Sequence, residues 1–522
     1  MSSNHPLLDL WDSFLPSLRS IVAPLLHEPD RKILIDDEYV LLNDETFREL
    51  KLSHEILHPH ALTFTIILST PLQTLTATFL KTTLTASTIL LREAERNVNT
   101  LQYAPEGKRW RSTYSYTAVL ISIAILAFLI HDETSNTQNS GIQRDEDLVE
   151  KKVEGWNWQD VIYHLDFALI KTSGWPVTGY IHEFLNFVDT KLLRLIDQSH
   201  NLPIDWDKRE NNWCSWIEPS EPMLKSIGRE FNSPSIDQWK ELYTQRKPVK
   251  LTSIIDHWPV FDIPSSNGVY KSKWSFFQYL LSKTINGRRI VPVEIGRTYA
   301  DPDLKQRILT FKYFFSNYFV RGAPGRDGTD TERGEEEEEE EEEGEGVFGY
   351  LAQHNLLTQI PSLRDDICIP EYINYTSEDD NEDDDEDVAT TINAWFGPAN
   401  TITPLHTDNY HNIFCQVVGR KYVRLYPPEA REAMFPMGKD ERGVDMGNTS
   451  SIPVTWMEGE DSEPMHTGED GDYEKWQKFK NETYVEFVVG PGEAVFFPKG
   501  WWHYVRSVEA SFSVNFWWGG GS

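Results

Sequence analysis

The chain has 522 residues, of which 39% are hydrophobic and 12% aromatic, including 18 tryptophans; that is ample apolar material, it excludes a wholly disordered chain, and at this length it predicts two folded units. A formal net charge of −33 argues against nucleic acid as a direct partner, because phosphate contacts need clustered Lys and Arg. Three cysteines, Cys214, Cys368 and Cys415, without CxxC spacing exclude a disulfide framework and a cysteine-based zinc site, and they point to a reducing compartment.

The opening MSSNHPLLDLWD has no basic segment leading into an apolar core and a small-residue cleavage site, so no secretory signal is expected. Residues 1 to about 225 read as a helical domain. Leu7, Leu8, Trp11, Leu15, Leu18 and Val22 recur at three- and four-residue steps, as do Trp158, Val161, Ile162, Leu165, Ala168 and Leu169. The stretch from Tyr180 to Gln198 continues the pattern. The longest apolar run, Ala118 to Ile130, is broken only by Ser122; it falls short of the roughly 20 residues a bilayer requires and predicts a buried core helix, with no membrane partner. Asp132 to Glu150 is polar and reads as a loop.

From about residue 230 to 520 the pattern changes to short β-prone runs separated by Gly and Pro. These are Pro248–Ile255, Arg289–Ile295, Thr390–Phe396, Ile413–Val418, Tyr422–Tyr426, Tyr484–Val489, Ala494–Phe497 and Ser511–Trp518, a grammar of sandwiches and small barrels. The fold class is therefore α+β, with an all-helical N-terminal region followed by a barrel. Three interruptions fall between the predicted strands: acidic inserts at about 322–346 and 377–388, and a charged, irregular insertion at about 437–481. The nine consecutive glutamates of Glu335–Glu343 repel one another and bury nothing. Deleting Gly334 to Gly346 is accordingly expected to leave the melting temperature nearly unchanged, since shortening a loop alters closure entropy slowly; a large fall would mean that the glutamates are docked on a basic surface.

Three His-x-Asp/Glu matches occur, His131/Glu133, His164/Asp166 and His406/Asp408. Residues two apart diverge on a helix, which removes His164/Asp166, and share a face on a strand. His406 and Asp408 lead into β-prone sequence and can chelate together. A third ligand is available from Gly490 to His503, where a Gly-Pro-Gly turn, a short apolar strand and a Pro-bounded corner deliver one histidine. Two histidines and a carboxylate with open positions suit non-haem Fe(II). In Lys421–Tyr426, alternation puts Lys421 on the face of Val423 and Leu425, where an ammonium is costly unless an anion meets it. A dicarboxylate inside the barrel would be such an anion.

Ala394–Asp408, then Asn412, Gly419–Tyr426, Pro491–Pro498 and Trp502–Arg506 together resemble a JmjC domain, within it the JmjC-only group of lysine-specific demethylase 8. Gly349–His354, Val291–Gly296 and Ser511–Trp518 fit the same group. The resemblance implies a cupin-type double-stranded β-helix and an Fe(II)- and 2-oxoglutarate-dependent dioxygenase that uses dioxygen. By motif position it implies His406, Asp408 and His503 as catalytic metal ligands, and Lys421, Tyr350, Thr403 and Asn412 as the 2-oxoglutarate site. Glu294, Trp395 and Trp517 would line the substrate pocket. An inward Glu294 suits a cationic side chain, so the expected reaction is hydroxylation of an arginine-type side chain in a protein. N-methyl-lysine (histone) demethylation at the same site is the alternative, and a non-catalytic scaffold the other. The partner is then a protein substrate, histone, ribosomal or chromatin-associated, in nucleus or cytoplasm.

Overall fold

The computed structural model describes residues 5–26, 32–35, 38–41, 44–101, 107–136, 152–197, 213, 224–263, 272–296, 305–320, 348–375, 390–439, 443, 445–455 and 472–519. Both acidic inserts, residues 440–442, 444 and 456–471 of the later insertion, and Cys214 lie outside these. The chain forms two compact units, one of Met1–Pro203 with Thr284–Ile290 and one of Ile204–Lys283 with Val291–Ser522.

In the first unit the predicted periodicity becomes helices α1 (Pro6–Val22), α2 (Asp44–Ser69), α3 (Ala77–Thr100), α4 (Gly107–Asn136), α5 (Trp158–Thr172) and α6 (Thr178–Phe187). Their starts are chemically marked. Thr76 accepts from the Phe79 N–H ahead of α3, and Asn157 and Asp160 form a reciprocal capping box at α5. Helix α4 runs through Asp132–Asn136, which the polar composition had predicted as loop. It is long and apolar enough to cross a membrane, but its apolar window is wholly buried inside the unit, packed by α2, α3 and α5, as expected of a helix apolar all round. A short antiparallel hairpin, β1 (Lys32–Ile35) with β2 (Glu38–Leu41), adds to the helices. Asp166 is fully buried and accepts from Arg289 Nε at 2.8 Å and from the Ile290 N–H at 2.9 Å, while Asp197 meets Arg288 at 3.1 Å. Asp166 is thus a structural counter-ion for the 284–290 segment, consistent with its exclusion as a chelator.

The second unit holds β3 (Arg229–Asn232), β4 (Val249–Thr252), β5 (Ile290–Gly296), β6 (Lys305–Thr310), β7 (Phe348–His354), β8 (Thr391–Gly397), β9 (Ile402–Thr407), β10 (His411–Val418), β11 (Lys421–Tyr426), β12 (Val485–Val489), β13 (Glu493–Phe497), β14 (Trp502–Ser507) and β15 (Ser511–Trp518). They make a nine-stranded sheet ordered β3-β4-β13-β10-β15-β8-β7-β5-β6 and a four-stranded sheet ordered β12-β11-β14-β9. Consecutive strands from β8 onward switch repeatedly between the two sheets, the winding of a double-stranded β-helix. Period-two alternation then sorts the side chains. On β11, Val423 and Leu425 join the interior cluster with Phe414, Phe497 and Val505, whereas Tyr422 and Tyr426 pack outside with Trp476 and Phe479. On β10, Ile413, Cys415 and Val417 enter the core on the outer face of the large sheet, so Cys415 is a packing residue.

The insertion after Met437 is ordered where it is described, and in this it departs from the irregular segment expected. Residues 448–450 run along the free edge of β9: Thr407 N–H donates to the Asn448 carbonyl and Ser450 N–H to the Leu405 carbonyl, both at 2.8 Å. A helix over Asp472–Lys480 seals the outer face with Trp476 and Phe479, each 1% exposed.

Candidate metal centre

The site begins at an irregular pairing of β9 with β14. His406 lies opposite His503 and Thr403 opposite Val505, so β9 carries one extra residue between the two pairs. That bulge resets the alternation: Leu405 packs outside the barrel, while both Thr403 and His406 line its cavity. Asp408 follows the end of β9, and its carbonyl accepts from the Gly500 N–H at 3.1 Å. The three predicted ligands therefore converge. One donor atom from each of His406, Asp408 and His503 lies within 4.8 Å of the others, with His406 Nε2 and His503 Nε2 at 3.8 and 3.5 Å from Asp408 Oδ2.

The tautomers are set by the backbone. His406 Nδ1 donates to the Pro404 carbonyl at 2.7 Å and His503 Nδ1 to the Trp501 carbonyl at 3.1 Å. A carbonyl only accepts, so each Nδ1 carries the proton and each Nε2 presents its lone pair to the centre. Burial, then the neighbouring His503, lowers the His406 pKa to about 4. Burial works to raise the Asp408 carboxyl, but its closeness to His503 and then to His406 outweighs burial and holds it below its ordinary value. A neutral His406 and an ionised carboxylate are the protonation states a cation needs from its ligands. Two imidazoles and one carboxylate at one end of the cavity fit a divalent iron with open coordination positions. Among the described residues no other group of three such side chains converges.

The cavity holds about 320 Å3 of empty space, its open mouth included. Lys421 forms its floor, 1% exposed, donating to the Tyr350 hydroxyl at 3.1 Å with the Tyr350 and Phe414 rings 5.5 Å from its ammonium and Trp395 at 6.0 Å. No carboxylate meets it among the described residues, and burial lowers its pKa to about 7. Thr403, Asn412, Trp395 and Trp517 line the same cavity. Asn412 Oδ1 and Trp517 Nε1 are buried without a hydrogen-bond partner among the described residues. Glu294 does not line the cavity; it is half-buried on β5, opposite Tyr350 in register. Asn515 was missed. It lines the cavity and accepts from Trp395 Nε1 at 3.0 Å. Its place two residues before Trp517 on a strand was the available signal.

Residues 235–521 match the model of the cupin-like domain family. Lysine-specific demethylase 8 of Xenopus tropicalis is 35% identical over 292 residues, covering 55% of this chain and 52% of that protein. Its namesake in Danio rerio is 37% identical over 303 residues, 57% of this chain and 60% of the relative. Lysine-specific demethylase JMJ30 of Arabidopsis thaliana is 32% identical over 279 residues, covering 53% and 51%. The chain thus spans between half and three fifths of the length of these relatives. With the matched region holding the two-sheet barrel and the convergent ligand set, the chain belongs to the cupin-like domain family.

Proposed function

We propose that the protein is an Fe(II)- and 2-oxoglutarate-dependent oxygenase that removes methyl groups from lysine side chains of a protein substrate. The observation that carries the cosubstrate is Lys421, a buried ammonium met by a tyrosine hydroxyl and aromatic rings but by no carboxylate among the described residues. Such a charge is stabilised by a dicarboxylate entering the cavity. When bound, iron with 2-oxoglutarate and dioxygen supplies oxidation of a C–H bond, with succinate and carbon dioxide as co-products. The chain's own work is positional. Lys421 and Tyr350 hold the far carboxylate, Thr403 and Asn412 flank it, the Nδ1 hydrogen bonds fix both imidazoles, and the aromatic walls exclude water. Hydroxylation of an N-methyl group would give a carbinolamine whose C–N bond breaks, the carbon leaving as formaldehyde and the hydroxyl proton passing to the amine nitrogen. Lysine is preferred as the target because several relatives carry the name lysine-specific demethylase.

Hydroxylation of an arginine side chain is the second reading; its expected cation partner Glu294 stands outside the cavity lining, next to it through its strand partner Tyr350. Peptides carrying methyl-lysine or unmodified arginine separate the two readings by mass spectrometry. Loss of methyl mass with release of formaldehyde is the expected result. A retained gain of one oxygen on arginine, with methyl-lysine untouched, would reverse the order.

A further inference from the structure

The tetrapeptide Pro498–Trp501, which joins β13 to β14, touches two of the three ligands. Gly500 N–H donates to the Asp408 carbonyl and the Trp501 carbonyl accepts from His503 Nδ1, both at 3.1 Å. The same tetrapeptide is held from outside at two points. Lys499 N–H donates to His411 Nδ1 at 3.1 Å, and Trp501 Nε1 donates to the Arg246 carbonyl at 2.9 Å. Neither anchor is slack. His411 is 1% exposed, with its ring 4.9 Å from Tyr243 and 5.7 Å from Trp518, and the Arg246 guanidinium lies against it. Arg246 itself has a φ of 49°, a left-handed backbone that a residue with a side chain adopts only when its surroundings hold it there.

His411 stands in a His-x-Asp-x-x-His spacing with His406 and Asp408, which on paper resembles a fourth ligand. Alternation on β10 decides otherwise: Asn412 and Phe414 face the cavity, and His411 faces the opposite side with Ile413 and Cys415, against Phe496 and Trp518. Its imidazole reaches the ligand-bearing tetrapeptide through the Lys499 N–H.

We propose that His411 and Trp501 are positioning residues of the metal centre, fixing the 498–501 tetrapeptide and through it the spacing and orientation of Asp408 and His503. The proposal rests on the metal-site reading above. Groups that orient ligands typically matter by 10- to 100-fold in metal affinity. The test is Co(II) titration of the full chain, following the visible absorption of the bound ion, in Trp501→Phe, His411→Leu and His411→Gln, with His503→Ala as reference. Trp501→Phe keeps the ring and removes the N–H; His411→Gln keeps an acceptor for Lys499. We expect Co(II) affinity to fall about tenfold in Trp501→Phe and His411→Leu, with an altered absorption band, and His411→Gln to recover most of the loss. Parental affinity and spectrum in Trp501→Phe overturn the proposal even where His411→Leu fails to fold. A Co(II) signal that survives in His503→Ala overturns the metal site itself, and is recognised separately because it concerns the reference variant.

Discussion

His406→Ala, Asp408→Ala and His503→Ala are each expected to abolish iron binding and 2-oxoglutarate turnover, while the metal-free chains should melt close to the parent. Loss of binding follows from the donor set: with three protein ligands, removal of one leaves two, and the neutral His406 and ionised Asp408 form no other cluster among the described residues. Survival of the fold follows from where the side chains sit. His406 and Asp408 keep 18% and 16% of their side-chain surface exposed and His503 7%, but all three line a cavity that is already open, so truncation opens no sealed void, and the two larger cores of the unit lie elsewhere. Metal content after reconstitution, succinate formation and a melting curve of each variant check the prediction. Retained decarboxylation in metal-loaded His503→Ala would sink the ligand assignment.

Replacing Lys421 by Ala removes a charge-assisted contact of about 1.5 to 3 kcal/mol, so the 2-oxoglutarate concentration needed for half-maximal turnover should rise by roughly ten- to a hundredfold. Iron binding should survive, because Lys421 is no ligand. The pH dependence carries a further signature. Burial lowers the Lys421 pKa to about 7, and only the protonated amine attracts a carboxylate. Cosubstrate affinity is therefore full below that pH and declines above it, by about tenfold between pH 6 and pH 8 if binding requires the charged form. The sign for stability is the reverse: the unfolded chain holds this proton at pH values where the folded chain has lost it, so the ligand-free protein gains stability from this group as pH rises from about 7 toward the ordinary lysine value. Cosubstrate titrations and ligand-free melting curves at several pH values check the two parts, and a Lys421→Ala variant with unchanged affinity and the same pH slope would show that the ammonium does not hold the cosubstrate.

Strands with strict alternation and β-branched or aromatic residues were legible: the predicted runs over β10, β11, β13 and β15 lie within two residues of the observed bounds. Those missed have a local reason. β9 contains Pro404 and a bulge, which blur period two; β6 (Lys305–Thr310) is half polar; and β14 is an aromatic stretch that follows directly on the Pro-bounded corner. The Asp472–Lys480 helix was hidden because only Trp476 and Phe479 mark its buried side amid charges. In the site, the ligands and Lys421 were legible because their chemistry is unusual for their surroundings. Asn515 was not, since a lone asparagine on an aromatic strand says nothing until its neighbours are known. His411 shows the converse, a histidine at tempting spacing whose strand face rules it out.

The winding of the barrel also bears on the order in which the protein assembles. His406 pairs with His503, and β15 lies between β8 and β10, so the nascent chain carries β8 and β10 with no neighbour between them until the last strand has been synthesised. Such distant pairings slow folding and expose strand edges meanwhile. Truncation just after His503 would keep every ligand in the polypeptide and still deny it a catalytic pocket, because the strand that closes the large sheet and brings Asn515 and Trp517 to the cavity would be missing.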